Sequence, residues 1–167
     1  MIYDITPHIK SYLWFFVLTF LLPVGSLYLI SVFSKTISFL SVTTAGLALV
    51  SAVIFGISCF LLKGNIVIDG NKLTVNMPLN TVSLQYDEVL WNESEKISST
   101  SGKKLSIRLL GVGLPGFQSG KYELSDGSVA MVLSTSKNKV FIPTISGSAL
   151  IIDESVYSSI IRDHESG

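Results

Sequence analysis

The feature that most constrains this chain is the near absence of charge in its N-terminal third. Between Lys10 and Lys63 the only charged residue is Lys35. It divides the region into two uncharged runs, residues 11–34 and 36–62, each longer than the roughly 20 residues that cross a bilayer core. A chain with two such runs and one short polar break is expected to form a transmembrane hairpin. The expected boundaries are an N-terminal segment 1–10, a first span 11–34, a loop 35–37, a second span 38–62 and a separate domain 64–167.

Local chemistry agrees with that division. Tyr12 and Trp14 sit at one end of the first run and Tyr28 and Phe33 toward the other, the placement of interfacial aromatic belts. Pro23 and Gly25 lie near mid-run, where a neighbouring helix can satisfy the freed backbone groups. The first run is longer than a secretory h-region, Asp4 precedes it, and no small-residue cleavage site follows, so an anchor is expected rather than a cleaved leader. In the second run Thr44, Ala48, Ala52 and Gly56 recur every four residues and mark one helix face. That row reads as a packing face toward the first helix or a second copy, or as the general abundance of small residues in membrane helices. Lys10 and Lys63 flank the outer ends and Lys72 follows, against Lys35 alone in the loop. This lysine bias places both termini in the cytoplasm.

Beyond residue 64 the chain has nine Lys/Arg and eleven Asp/Glu. Its slight acidity and lack of a basic stripe give no expectation of nucleic-acid binding. Apolar alternation with turn signals replaces the apolar runs. Strands are expected at 65–69, 72–76, 81–85, 105–110, 121–125, 129–133, 140–143 and 149–152, all antiparallel, with a surface loop at 93–104. The spacing of Val156, Tyr157, Ile160 and Ile161 predicts a closing amphipathic helix, with Asp153 as its N-cap. The fold class is therefore a membrane α-helical hairpin plus a β-rich barrel or sandwich with a C-terminal helix.

The second half carries a more specific pattern. Gly111-Val-Gly-Leu-Pro-Gly-Phe117, then Gly120-Lys-Tyr-Glu-Leu124, Asp126-Gly127, Val140-Phe-Ile-Pro-Thr144 and Gly147 resemble a bacterial pleckstrin-homology (PH) domain family. The resemblance covers residues 111–152 closely and the hairpin 65–76 more loosely. It implies a PH-like barrel, often found behind a pair of membrane helices, in the bacterial inner membrane.

Chemistry-bearing residues are few. Gly111, Gly113 and Gly116 spell G-x-G-x-x-G, but no βαβ unit surrounds them, so they read as a bend between strands rather than a nucleotide loop. The segment Gly111, Gly113, Leu114, Pro115, Gly116 and Phe117 is a candidate partner-binding loop, with Leu114 or Phe117 as the contact point. Lys103, Lys104 and Arg108 are a candidate anionic-lipid contact. His8 and His164 stand at the chain's extremes without a nucleophile, Asp87-Glu88 reads as solvated charge, and lone Cys59 excludes a disulfide framework within the chain. No cofactor, metal or catalytic group is expected. The expected role is a non-enzymatic interaction module at the cytoplasmic face, with the bilayer and a protein partner or homo-oligomer as partners. The alternative is a membrane-surface sensor of a lipid headgroup or small ligand.

Overall fold

The computed structural model describes residues 1–34, 42–97 and 103–165. The chain divides into two compact units, a helical one at Ile9–Leu62 and a β-rich one formed by Met1–His8 with Lys63–Gly167.

In the helical unit, α1 (Ile9–Phe16) runs through a π-helical turn at Val17–Leu21 into α2 (Leu22–Ser34). The turn has a chemical origin. Pro23 has no N–H, and its ring would collide with the carbonyl of Thr19 in a regular helix. The wide turn just before it, closed by the Leu22 N–H bond to the Val17 carbonyl, absorbs the mismatch. Thr19 Oγ1 also donates to the Phe15 carbonyl at 2.7 Å. The stretch Ile9–Ile30 is 22 residues and is long and apolar enough to cross a membrane. The second helix, α3 (Val42–Leu61), has 20 residues, and its apolar portion within the described side chains is Ala45–Ile57.

Within one copy, α3 does not meet the first helix through the whole expected row of small residues. Ala48 is half-buried, but Ala52 and Gly56 are exposed and no side chain approaches Gly56. The side chain of Thr44 lies outside the described residues. The buried side runs through Ser51 and Phe55, with Phe55 at 6.2 Å from Phe15 and 5.2 Å from Phe16, ring centre to ring centre. One large ring fills the contact, so the backbones have no need of small residues to meet.

In the β unit, β1 (Ile2–Ile5), β2 (Gly64–Asp69), β3 (Lys72–Met77) and β4 (Asn80–Gln85) form an antiparallel sheet in that order. The second sheet, in the order β5-β9-β10-β8-β7-β6, comprises β5 (Glu95–Ile97), β6 (Leu105–Leu114), β7 (Phe117–Leu124), β8 (Val129–Ser134), β9 (Lys139–Pro143) and β10 (Ala149–Asp153). A helix, α4 (Glu154–Glu165), follows. Alternation fills the core: Ile66, Leu73, Val75, Leu124, Val132, Ile142 and Ile160 are fully buried. β10 is buried at every position, as a central strand should be.

Four features depart from the expectations. The segment 1–10 contains β1, in register with β2 from Ile2 opposite Val67 to Ile5 opposite Gly64. The expected loop at 93–104 contains β5, and residues 98–102 lie outside the described residues. β10 inserts between β8 and β9, so it runs antiparallel to β9 but parallel to β8. Finally, the buried Asp153 carboxylate does not cap α4. It accepts from Ser134 Oγ at 2.5 Å, Thr135 Oγ1 at 2.7 Å and the backbone N–H groups of Thr135 and Ser136 at 3.0 Å each. Multiple donors are what a buried carboxylate requires.

Tyr3 ties the first strand to the last helix through a 2.7 Å bond from its hydroxyl to Asp163 Oδ2. Burial, then this bond, pushes the Tyr3 phenol from 10.0 up to about 12. A raised folded-state pKa means that its stabilisation is complete below about pH 10 and is lost as pH rises toward 12. In alkaline unfolding titrations, Tyr3→Phe is therefore expected to start less stable and to show a shallower decline across that window. An unchanged slope would sink the assignment.

Gly111 and Gly120 lie opposite each other in the β6–β7 pair, with φ of 128° and 127°. A Cβ on Gly111 would collide with the Ser119 carbonyl, and one on Gly120 with that of Leu110. Gly120→Ala is expected to cost about 3 kcal/mol through strain and collision together. Chemical unfolding of the detergent-purified full chain checks this, and a loss below about 0.5 kcal/mol, the size of an ordinary surface change, would refute it.

Candidate interaction surface

The glycine-rich segment is a structural device. Gly111, Gly113 and Leu114 belong to β6, Pro115 and Gly116 make the turn, and Phe117 opens β7. Gly116, with φ of 81°, supplies the left-handed backbone of that turn. Phe117 is 1% exposed, so it anchors the core and presents no contact to a partner. Leu114 is half-buried, and Pro115 and Gly116 are exposed.

The basic residues are engaged separately. Lys103 Nζ lies 3.4 Å from Glu95 Oε2 and 3.9 Å from the centre of the Phe141 ring. The cavity beside it is also lined by Glu93, Glu95 and Asp126, acidic company that opposes an anion. Arg108 lies instead beside Gly113, where the Tyr122 hydroxyl donates to the Val112 carbonyl at 3.2 Å. Burial raises the Tyr122 phenol, and the guanidinium partly offsets the rise. Lys104 is exposed.

A more organised surface surrounds the end of α4. A 3-10 turn at Tyr86–Glu88 follows β4 and a second one at Trp91–Glu93 precedes β5. They bring Tyr86 and Trp91 together, ring centres 5.1 Å apart, while the His164 ring of α4 lies tilted 4.7 Å from that of Tyr86. Tyr157 stands 6.2 Å from Trp91 and donates to its carbonyl at 3.2 Å. Ser94 Oγ donates to Tyr157 at 2.7 Å, and Trp91 Nε1 to the Tyr86 carbonyl at 3.3 Å.

This aromatic cluster borders two cavities. One, of about 390 Å³, is lined by Ile68, Asp69, Tyr86, Ile160, Asp163 and His164. The other, of about 380 Å³, is lined by Tyr86, Leu90, Trp91, Glu93, Ile161 and His164. Tyr86 and His164 line both. The Tyr86 hydroxyl is buried without a hydrogen-bond partner among the described residues, and burial, followed by the field of Tyr157, raises its pKa. An unpaired buried hydroxyl costs on the order of 1–3 kcal/mol, which an incoming acceptor would recover. Sequence periodicity pointed to the apolar face of α4, but not to Tyr86 or Trp91, because nothing local links them to a helix some 70 residues later.

Among the described residues no group of His, Cys, Asp and Glu is arranged to hold a metal ion. No curated protein and no solved structure matches the chain. A comparison with protein families matches residues 64–156, more than half of the chain, to the bacterial PH domain. The region matched runs from β2 into α4, and with its two packed sheets and closing helix the chain belongs to the bacterial PH domain family.

Proposed function

We propose that the protein is a membrane-anchored, non-enzymatic interaction module, with a twice-crossing helical hairpin holding a PH domain at the cytoplasmic face. The observation that carries this reading is the β1–β2 pair. β1 precedes the helical unit and β2 follows it, yet Ile5 faces Gly64 in one sheet. Both flanks of the helical unit therefore lie on one side of any membrane, and the chain between them crosses an even number of times. α1 to α2 supplies one crossing, and the 20 residues of α3 supply about 30 Å for the return. Cleavage after the first helix would strip a strand from the sheet, which supports a retained anchor. The lysine bias then selects the cytoplasmic side.

The groove along α4 is the proposed docking place. Its aromatic floor offers apolar contact, and Asp69, Glu93 and Glu165 at its edges favour a protein segment that carries Lys or Arg. The partner is a membrane protein or a second copy of the chain.

Two outcomes are expected. In a Cys59→Ala background, Asn71→Cys is labelled by an impermeant maleimide only after cells are opened, whereas Lys35→Cys is labelled in intact cells. Equal labelling of the two sites would overturn the topology. The full-length protein, extracted in mild detergent, is expected to co-purify with a stoichiometric partner or as a homo-oligomer. Charge reversal with Glu93→Lys and Glu165→Lys should reduce that association at least tenfold, the effect of about 1.4 kcal/mol. A monomer with no companion would refute the module.

A further inference from the structure

We propose that the β unit is seated on the interfacial layer of the bilayer by exposed leucines at one end of the unit, Leu79 foremost. This rests on the anchored reading above.

The register identifies that end. Gly64 begins β2 opposite Ile5, so the strands that lead to both helices meet at one level of the first sheet. Asn76 faces Asn65, which brings Met77 to the level of Gly64. The turn joining β3 to β4 at Pro78 and Leu79 projects past that level, on the side toward which the chain leaves for its helices. Leu79 is 62% exposed there.

The second sheet contributes to the same end. Leu133 of β8 packs against Gly64. It is in register with Ser119 of β7, and Ser119 with Val112 of β6. Along the second sheet, the β6–β7 hairpin tip at Pro115 and Gly116 lies past the Ser119–Leu133 pair that meets Gly64. Leu110, opposite Lys121 and two residues back from Val112, is 51% exposed, and Leu109 before it is 49% exposed.

The occupant follows from chain continuity. Residues 6–8 lead from β1 to α1, and Leu62 and Lys63 lead from α3 to β2. Connectors this short reach at most about 10 Å. Side chains projecting from that end are held within reach of the headgroup region, where leucines gain from leaving water. Lys121, paired with Leu110, is exposed and can extend its amine to phosphates while its stem lies among apolar groups. A strand-to-strand occupant fits less well. β6 has register shifts between Leu105 and Ile107 and between Arg108 and Leu110, and such bulges block edge-to-edge pairing.

The test uses the full-length chain in vesicles, with single cysteines carrying an environment-sensitive fluorophore in a Cys59→Ala background. Labels are placed at Leu79, at Leu110, at Asn71 in the turn at the other end of β2, and at Val53 in α3. The quenchers are lipids with a nitroxide at the headgroup end of the acyl chain, which reports Leu79, Leu110 and Asn71, and at its middle, which reports Val53. The expected result is strong quenching at Val53 and quenching at Leu79 and Leu110 several-fold above that at Asn71. Quenching at Val53 with Leu79 and Leu110 no higher than Asn71 overturns the seating and leaves the anchor intact. Leu79 shielded from both lipid and aqueous quenchers assigns this end to a protein contact and also overturns the seating. Absence of quenching at Val53 overturns the anchor, and the seating with it.

Discussion

The four-residue pairing of β1 with β2 is the constraint on which the architecture depends. Strand addition at the edge of β2 satisfies backbone groups that an open edge would leave to water or to another chain. It also joins residues that are nearly sixty positions apart. Closing a flexible loop of that length carries an entropy cost that grows with the logarithm of its length. Here the intervening chain is not flexible, because α3 contacts the first helical segment through Phe55. A folded helical hairpin returns the chain close to where it left, so most of the closure has been achieved before the strands meet. The Tyr3–Asp163 bond then fastens the same strand to α4.

Around that join, the family's barrel is built from ordinary parts with two specialised points. The Gly111–Gly120 pair lets β6 and β7 approach more closely than side chains allow. The Asp153 carboxylate gathers the β8–β9 turn from beneath. Both act within the second sheet, and neither touches the groove at α4. Scaffold and candidate interaction surface thus occupy different residues, a division expected of a domain whose fold serves many partners.

Much of this was legible in the sequence. The charge-free runs announced the helical unit, and the turn signals at Gly70-Asn71 and Asp126-Gly127 placed two hairpins where they occur. The G-x-x-L-P-G and I-P-T patterns identified the family. What escaped was non-local. Ile2-Tyr3-Asp4-Ile5 is too short to announce a strand, and its partner lies beyond the helices. The placement of β10 between β8 and β9 is decided by tertiary packing, which alternation does not encode. Small residues on α3 suggested one face toward the first helix or a second copy, and within one copy the contact with the first helix runs through Phe55 instead. Phe117, read as a surface contact, is core because its place at the start of β7 turns it inward. For the α4 groove, the helix periodicity was visible, but its aromatic partners from the 3-10 turns were not.

The edge position of β1 also has a biosynthetic consequence. Ile5 leaves the ribosome long before Gly64, and at ordinary elongation speed the interval is roughly 3–12 s. Throughout it, the first strand has no sheet to join. On the proposed membrane-anchored reading, the strand's side of the bilayer is set while that wait lasts, before its partner has been made. A nascent chain whose first segment is carried to the wrong side would have every later strand available and still lack an edge.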